Sequence, residues 1–129
     1  MVELYLPGST GEALAFAVAV ITVFFGLLLF FMPRLSLRIL HLQTFPDRPD
    51  AVAEGRGTMA GFYLGCGLGC LVFAQPLLYV VLGASWAFTA LGRLTAVVYD
   101  RAATPFNLVS AAIEVVLAIL PLAYGLGWI

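Results

Sequence analysis

Arg93 and Glu114 are the two residues whose types and spacing could do chemistry, because each lies inside a long apolar segment. The segments 77–99 and 107–127 are joined by a short turn and must run antiparallel, which places both charges at the same depth, about 10 Å into a membrane. A lone charge at a membrane helix centre costs about 2.5–3.5 kcal/mol, so such groups form ion pairs, face the bundle interior or have a functional role. The two charges therefore predict a polar site inside a membrane bundle.

Other polar and aromatic residues recur at helical spacings beside these two charges, so one face of each helix is predicted to contribute to the site. The candidate ligand-binding residues are Glu54, Arg56, Tyr63, Trp86, Arg93, Asp100, Asn107 and Glu114. A guanidinium suits bidentate binding of an oxyanion, and a carboxylate can orient a ligand or exchange a proton. The same charges could instead lock the bundle as a neutral network, and the residue types leave both interpretations open.

The composition indicates which elements position these residues. The chain has 129 residues, of which 63% are hydrophobic and 10% charged, and its mean hydropathy is +1.07. Soluble domains are about 25% charged. We therefore expect an all-α membrane protein with a single transmembrane domain, residues 1–129, folded as a four-transmembrane-helix up-down bundle. The predicted helices span about 10–32, 56–74, 77–99 and 107–127, and a short interfacial helix is expected within 34–43, after the first of them.

The distribution of charge predicts the topology. Five arginines fall in the two connections on one side of the predicted bundle, namely Arg34, Arg38, Arg48, Arg56 and Arg101. The other side carries Glu3 and Glu12 and no basic residue. Since cytoplasmic loops carry the excess of basic residues, both termini are expected outside the cytoplasm.

Glycines recur every four residues on the second predicted helix, at Gly57, Gly61, Gly65 and Gly69. Such a glycine ladder allows the backbone of another helix to approach closely. We expect the partner to be a helix of the same chain, although a second copy or another membrane protein would use the ladder in the same way.

Several function classes lack their usual residues. Cys66 and Cys70 are spaced like two small packing residues, and no second Cys or His cluster accompanies them. No metal and no cofactor is therefore expected. The sequence has no phosphate-binding glycine loop and no basic footprint for nucleic acid. The expected partners are membrane lipids, a small amphiphilic ligand, and a second copy or another membrane protein.

The order of these residues resembles a known family. Glu54-Gly-Arg56-Gly, followed by Tyr63, Gly65, Gly92-Arg93, Asp100, Asn107 and Glu114, is similar to a bacterial family of small four-helix membrane proteins of unknown function, over roughly residues 20–125. That family is similar in layout to DoxX-like proteins. The resemblance implies a multi-pass protein of the bacterial inner membrane and implies no substrate.

Three functions are compatible with these patterns. The favoured one is a non-enzymatic bundle that binds or transports a small molecule or lipid headgroup in a polar pocket of its cytoplasmic half. The second is an accessory or assembly subunit, in which the glycine ladder docks another membrane protein. The third is an intramembrane acid–base enzyme that uses Glu114 as its catalytic residue.

Overall fold

The predicted all-helical fold is confirmed in a computed structural model, which describes residues 5–129 and leaves Glu3 outside the described residues. Within residues 5–129, three helices are long and apolar enough to cross a membrane: Thr10–Phe31, Pro76–Tyr99 and Pro105–Gly125. In chain order the elements are α1 (Thr10–Phe31), α2 (Pro33–Ile39), α3 (Asp50–Glu54), a π-helical segment (Gly55–Met59), α4 (Ala60–Phe73), α5 (Pro76–Tyr99) and α6 (Pro105–Gly125). The chain is therefore of membrane-protein type.

Side-chain caps and prolines define most of the helix ends. The Ser9 hydroxyl accepts a hydrogen bond from the Glu12 amide at 3.1 Å, which begins α1. Thr104 caps α6 in the same way, accepting from the Asn107 amide at 3.2 Å. Proline occupies the first position of α2, α5 and α6, where its missing N–H costs nothing. These local signals are all readable in the sequence.

The second predicted helix begins earlier than the expected residue 56. The helical run starts at Asp50 and continues without a break through the π-helical segment to Phe73. Pro49 takes the N-cap position, and Asp50 places a negative charge in the first turn, where the helix dipole favours it. Pro46 and Pro49 do not prevent this early start, because a proline immediately before a helix removes none of its internal hydrogen bonds.

The segment after the first long helix is helical over Pro33–Ile39, shorter than the expected 34–43. Arg34 and Arg38 are exposed, whereas Ser36 and Leu37 are buried against the bundle. His41 follows with a positive φ of 60°, a conformation that ends the helix. α2 therefore lies against one end of the bundle with its arginines pointing away from the core.

The long helices pack as two pairs, α1 with α4 and α5 with α6, and α1 also contacts α6. In contrast, α4 and α5 make few backbone contacts, although only Ala74 and Gln75 separate them. Aromatic side chains span the distance between them, since Tyr63 of α4 stacks on Trp86 of α5 with ring centroids 5.7 Å apart. Side chains, rather than close backbone contact, therefore join α4 and α5 beside the candidate site residues.

The half of the bundle around the α4–α5 turn is closely packed, and we call it the closed end. Glycines lie there against neighbouring backbones: a Cβ added at Gly83 would meet Ala118 O at 2.8 Å, and one at Gly125 would meet Pro76 O at 2.7 Å. The Tyr124 hydroxyl donates a hydrogen bond to Glu12 at 2.8 Å and joins α6 to the start of α1. Close helix contact at glycine is typical of membrane bundles.

Candidate functional site

Arg93 and Glu114 form a bidentate ion pair between α5 and α6. Arg93 Nε lies 2.8 Å from Glu114 Oε1, and its Nη2 lies 2.9 Å from Oε2. The Glu114 side chain is only 9% exposed, and that of Arg93 is 24% exposed. Both carboxylate oxygens accept from the guanidinium, the geometry in which such pairs are strongest. We call the half of the bundle that contains this pair the polar end.

Asn107 holds the guanidinium from the other side. Its Oδ1 accepts from Arg93 Nη1 at 2.8 Å, while its Nδ2 donates to the Ala102 carbonyl at 2.9 Å. Asn107 lies in the first turn of α6, where Thr104 binds its amide, so backbone and side chain are both fixed. The turn between α5 and α6 therefore helps to position Arg93 through Asn107.

An aromatic stack covers the outer face of Arg93. The guanidinium carbon lies 5.9 Å from the centroid of the Phe106 ring, within the range of a cation–π contact. His41 stacks on the same ring, with centroids 4.0 Å apart and an interplanar angle of 28°. Neither His41 nor Phe106 was among the predicted site residues, because nothing in the spacing of 41 and 106 indicates that the two rings meet.

A cavity of about 290 Å³ extends from the ion pair into the bundle. It is enclosed by α1, α2, α4, α5 and α6. Its lining residues are Phe25, Leu28, Leu29, Ser36, Ile39, Leu40, Tyr63, Trp86, Arg93, Phe106, Ser110, Ile113, Glu114 and Leu117. One end is thus polar and the rest is apolar, the usual character of a small-molecule pocket, and its size is near the lower limit of about 300 Å³ for such sites.

Trp86 forms the inner wall of the cavity and is held by a buried hydrogen bond. Its indole N–H donates to the Thr22 hydroxyl at 3.0 Å, and Thr22 in turn donates to the Val18 carbonyl at 2.8 Å. Phe25 contacts the same indole edge-on, with centroids 6.1 Å apart. Thr22 was not among the predicted site residues. The signal was present, since Thr22 is a polar residue within an apolar run.

Three of the expected ligand-binding residues lie away from the cavity. Glu54 lies beside a shallow depression formed by residues 43–54, Arg56 is exposed on the π-helical segment, and Asp100 is exposed at the end of α5. The structure brings the other five together, since Tyr63, Trp86, Arg93 and Glu114 line the cavity and Asn107 bonds to Arg93. The helical spacing of Arg56 and Tyr63 suggested a shared face, but the π-helical segment alters that register.

The glycine ladder faces outward, which corrects the expectation that it packs against a helix of the same chain. A Cβ added at Gly57, Gly61, Gly65 or Gly69 would meet no atom of the described residues within 4 Å. The glycine of α4 that does pack closely is Gly67, whose Cβ would meet Val23 Cγ2 at 2.6 Å and Ala19 O at 3.1 Å. A four-residue repeat shows that one face is small, but not what lies opposite it.

Polar atoms in the cavity remain available for a ligand. A guanidinium carries five N–H donors, and three of those of Arg93 bind Glu114 and Asn107. Among the described residues, the hydroxyls of Tyr63 and Ser110 have no hydrogen-bond partner, and both residues line the cavity. The site can therefore bind a polar group next to the ion pair without breaking it.

Fold and site together define a membrane-type helical chain with a buried ion pair at the end of an apolar cavity. The family described as Domain of unknown function (DUF4345) matches residues 12–124, and the chain belongs to this family. The expected resemblance to a family of unknown function is thereby confirmed. No curated protein and no solved structure matches the chain.

Proposed function

We propose that this protein is a membrane bundle that binds a small amphiphile, with the polar head of the ligand beside Arg93 and Glu114. The observation that carries the proposal is the cavity, which joins a polar end to apolar walls. A purely structural ion pair needs no such space, because protein interiors are normally close-packed. The ligand would be a membrane lipid or another small amphiphilic molecule, bound, transported or sensed.

The membrane arrangement is part of this proposal. The helical run from Asp50 to Phe73 would be the fourth transmembrane helix beside the three long apolar ones. The arginines near the polar end would place that end in the cytoplasmic half, with both termini outside. The layout would then be that of the DoxX-like proteins of the bacterial inner membrane. Cysteine labelling at engineered positions 8 and 48 tests the orientation, since only position 8 should be labelled from outside.

A cavity-closing substitution tests the binding function. Ser110 and Ala112 are small residues two positions apart on α6, but only Ser110 lines the cavity while Ala112 is exposed. Native mass spectrometry of gently extracted protein should show a bound small molecule in the wild type and in Ala112→Phe. Ser110→Phe should lose it, because the phenyl ring occupies the space. Equal retention in both variants would place the molecule elsewhere and contradict the proposal.

The outward glycine ladder favours a second candidate function, that of an accessory subunit in a larger membrane assembly. Gly57, Gly61 and Gly65 line an exposed groove with Thr58, Phe62 and Cys66, where another helix could approach closely. Gly61→Leu should then reduce the size of the complex in mild detergent, whereas Gly92→Leu, at an equally open position on α5, should not. A monomer of unchanged size for the wild type and both variants would remove this candidate.

A further inference from the structure

The charges at the polar end of the cavity are already balanced. Glu114 takes both of its hydrogen bonds from Arg93, and these two are the charged side chains among the described residues that line the cavity. Arg56, Glu54 and Asp100 are exposed and lie outside it. A ligand therefore meets a neutral, strongly polar surface rather than a free positive charge.

This balance disfavours a charged ligand. An anion close enough to use Arg93 also approaches Glu114, and two like charges 4 Å apart repel by about 4 kcal/mol at an effective dielectric constant of about 20. The repulsion offsets most of the attraction to Arg93, and the cost of removing the anion from water remains. A cation close enough to use Glu114 is likewise repelled by Arg93.

An uncharged head group can use what the ion pair leaves free. A hydroxyl group can accept from an unused N–H of Arg93 and can donate to, or accept from, the hydroxyls of Tyr63 and Ser110. Beyond these groups the walls are apolar, with Phe25, Leu28 and Leu117 among them. At roughly 30 Å³ for each small group, a volume of about 290 Å³ holds about ten non-hydrogen groups, the head included.

The mouth of the cavity is apolar as well. Ile39 of α2 and Ile113 of α6 line the cavity and are 53% and 52% exposed, so the opening lies between these two helices. In a membrane, exposed isoleucines of this kind contact lipid, and a ligand can enter sideways from the bilayer. We propose that the cavity selects single-chain amphiphiles with an uncharged hydroxyl head over the carboxylate of the same chain, an inference that rests on the proposed binding function.

Fluorescence of Trp86 tests this selectivity. The chain has two tryptophans, and Trp128→Phe leaves Trp86 as the only one. Two probes share one brominated chain that the cavity can hold and differ in the head: 8-bromooctanol, and 8-bromooctanoate at pH 9, where its carboxyl group is ionised. Bromine quenches a nearby indole, and Trp86 lies seven residues from Arg93 on α5, about 10 Å deeper into the cavity.

The alcohol should quench Trp86 at a roughly tenfold lower concentration than the carboxylate, and Ser110→Phe should abolish quenching by both. Equal potency, or preference for the carboxylate, would overturn the selectivity and leave the binding function intact. Quenching by neither probe would contradict the binding function itself.

Glu114→Gln supplies a second measurement. This change keeps the size of the side chain and one acceptor, but it leaves the charge of Arg93 uncompensated. The preference should then reverse in favour of the carboxylate. An unchanged preference for the alcohol in a folded Glu114→Gln protein would show that charge balance does not set the selectivity.

Discussion

The closed end and the polar end of the bundle differ in how closely the helices pack. At the closed end, Gly83 and Gly125 bring backbones together so closely that a single added methyl group would collide with a carbonyl oxygen. At the polar end, an ion pair joins α5 and α6, and large aromatic side chains surround a cavity. Close backbone packing at one end of the bundle therefore accompanies an internal space at the other.

The largest effect is expected from removing one charge of the ion pair. Glu114→Leu or Arg93→Met alone leaves its partner charged in a poorly solvated site and should lower the free energy of unfolding by about 3 kcal/mol, near the lower end for such pairs because Arg93 is partly exposed. The double variant should recover much of this loss. Thermal unfolding in detergent measures all three proteins. Additive losses in the double variant would show that the two charges do not depend on each other.

The next largest effect concerns the closed end. Gly83→Ala should destabilise the fold by about 2 kcal/mol, because overpacking of a tight contact costs about 1–3 kcal/mol and its Cβ would lie 2.8 Å from the Ala118 carbonyl oxygen. Gly92→Ala is the matched control on the same helix, with open space around its Cβ. It should stabilise the fold slightly, since alanine favours a helix over glycine by roughly 0.5–1 kcal/mol. Effects of the same sign in both would contradict the close packing.

A smaller effect is expected where the two halves meet. Thr22→Val keeps the shape of the side chain but leaves the Trp86 N–H without its acceptor, which should cost about 1 kcal/mol. Thr95→Val is the control, because Thr95 is exposed and its hydroxyl binds only the Leu91 carbonyl of its own helix. Thr22→Val should therefore unfold at a lower temperature than Thr95→Val. Equal unfolding temperatures of the two variants would show that the hydrogen bond between Trp86 and Thr22 does not stabilise the cavity wall.

Part of this architecture was predictable from local physics. The regular rise of a helix places Arg93 and Glu114 at one depth on antiparallel neighbours, and a capping residue or proline marks the start of α1 and of α6. The contacts that sequence reasoning missed join elements far apart in the chain. Thr22 and Trp86, for example, meet because of how α1 and α5 are rotated about their axes, and no spacing in the sequence reports that rotation.

The glycine ladder also shows that sequence spacing does not report which helix face packs within the chain. Its regular repeat suggested that Gly61 and Gly65 pack within the chain, whereas Gly67, which belongs to no repeat, makes the close contact. Likewise, α3 begins at Asp50 although two prolines precede it within five residues. Composition predicts which faces can pack closely and where a helix can start, but tertiary contacts decide which of these possibilities is used.

The central claim is that the polar end binds an amphiphile through the Arg93 and Glu114 pair, and the double variant Arg93→Met with Glu114→Leu tests it most directly. Unfolding temperature and the amount of bound small molecule, read by native mass spectrometry, should be measured on the same samples. The account predicts a folded protein that has lost the bound molecule. A folded double variant that retains the molecule at the wild-type level would contradict it.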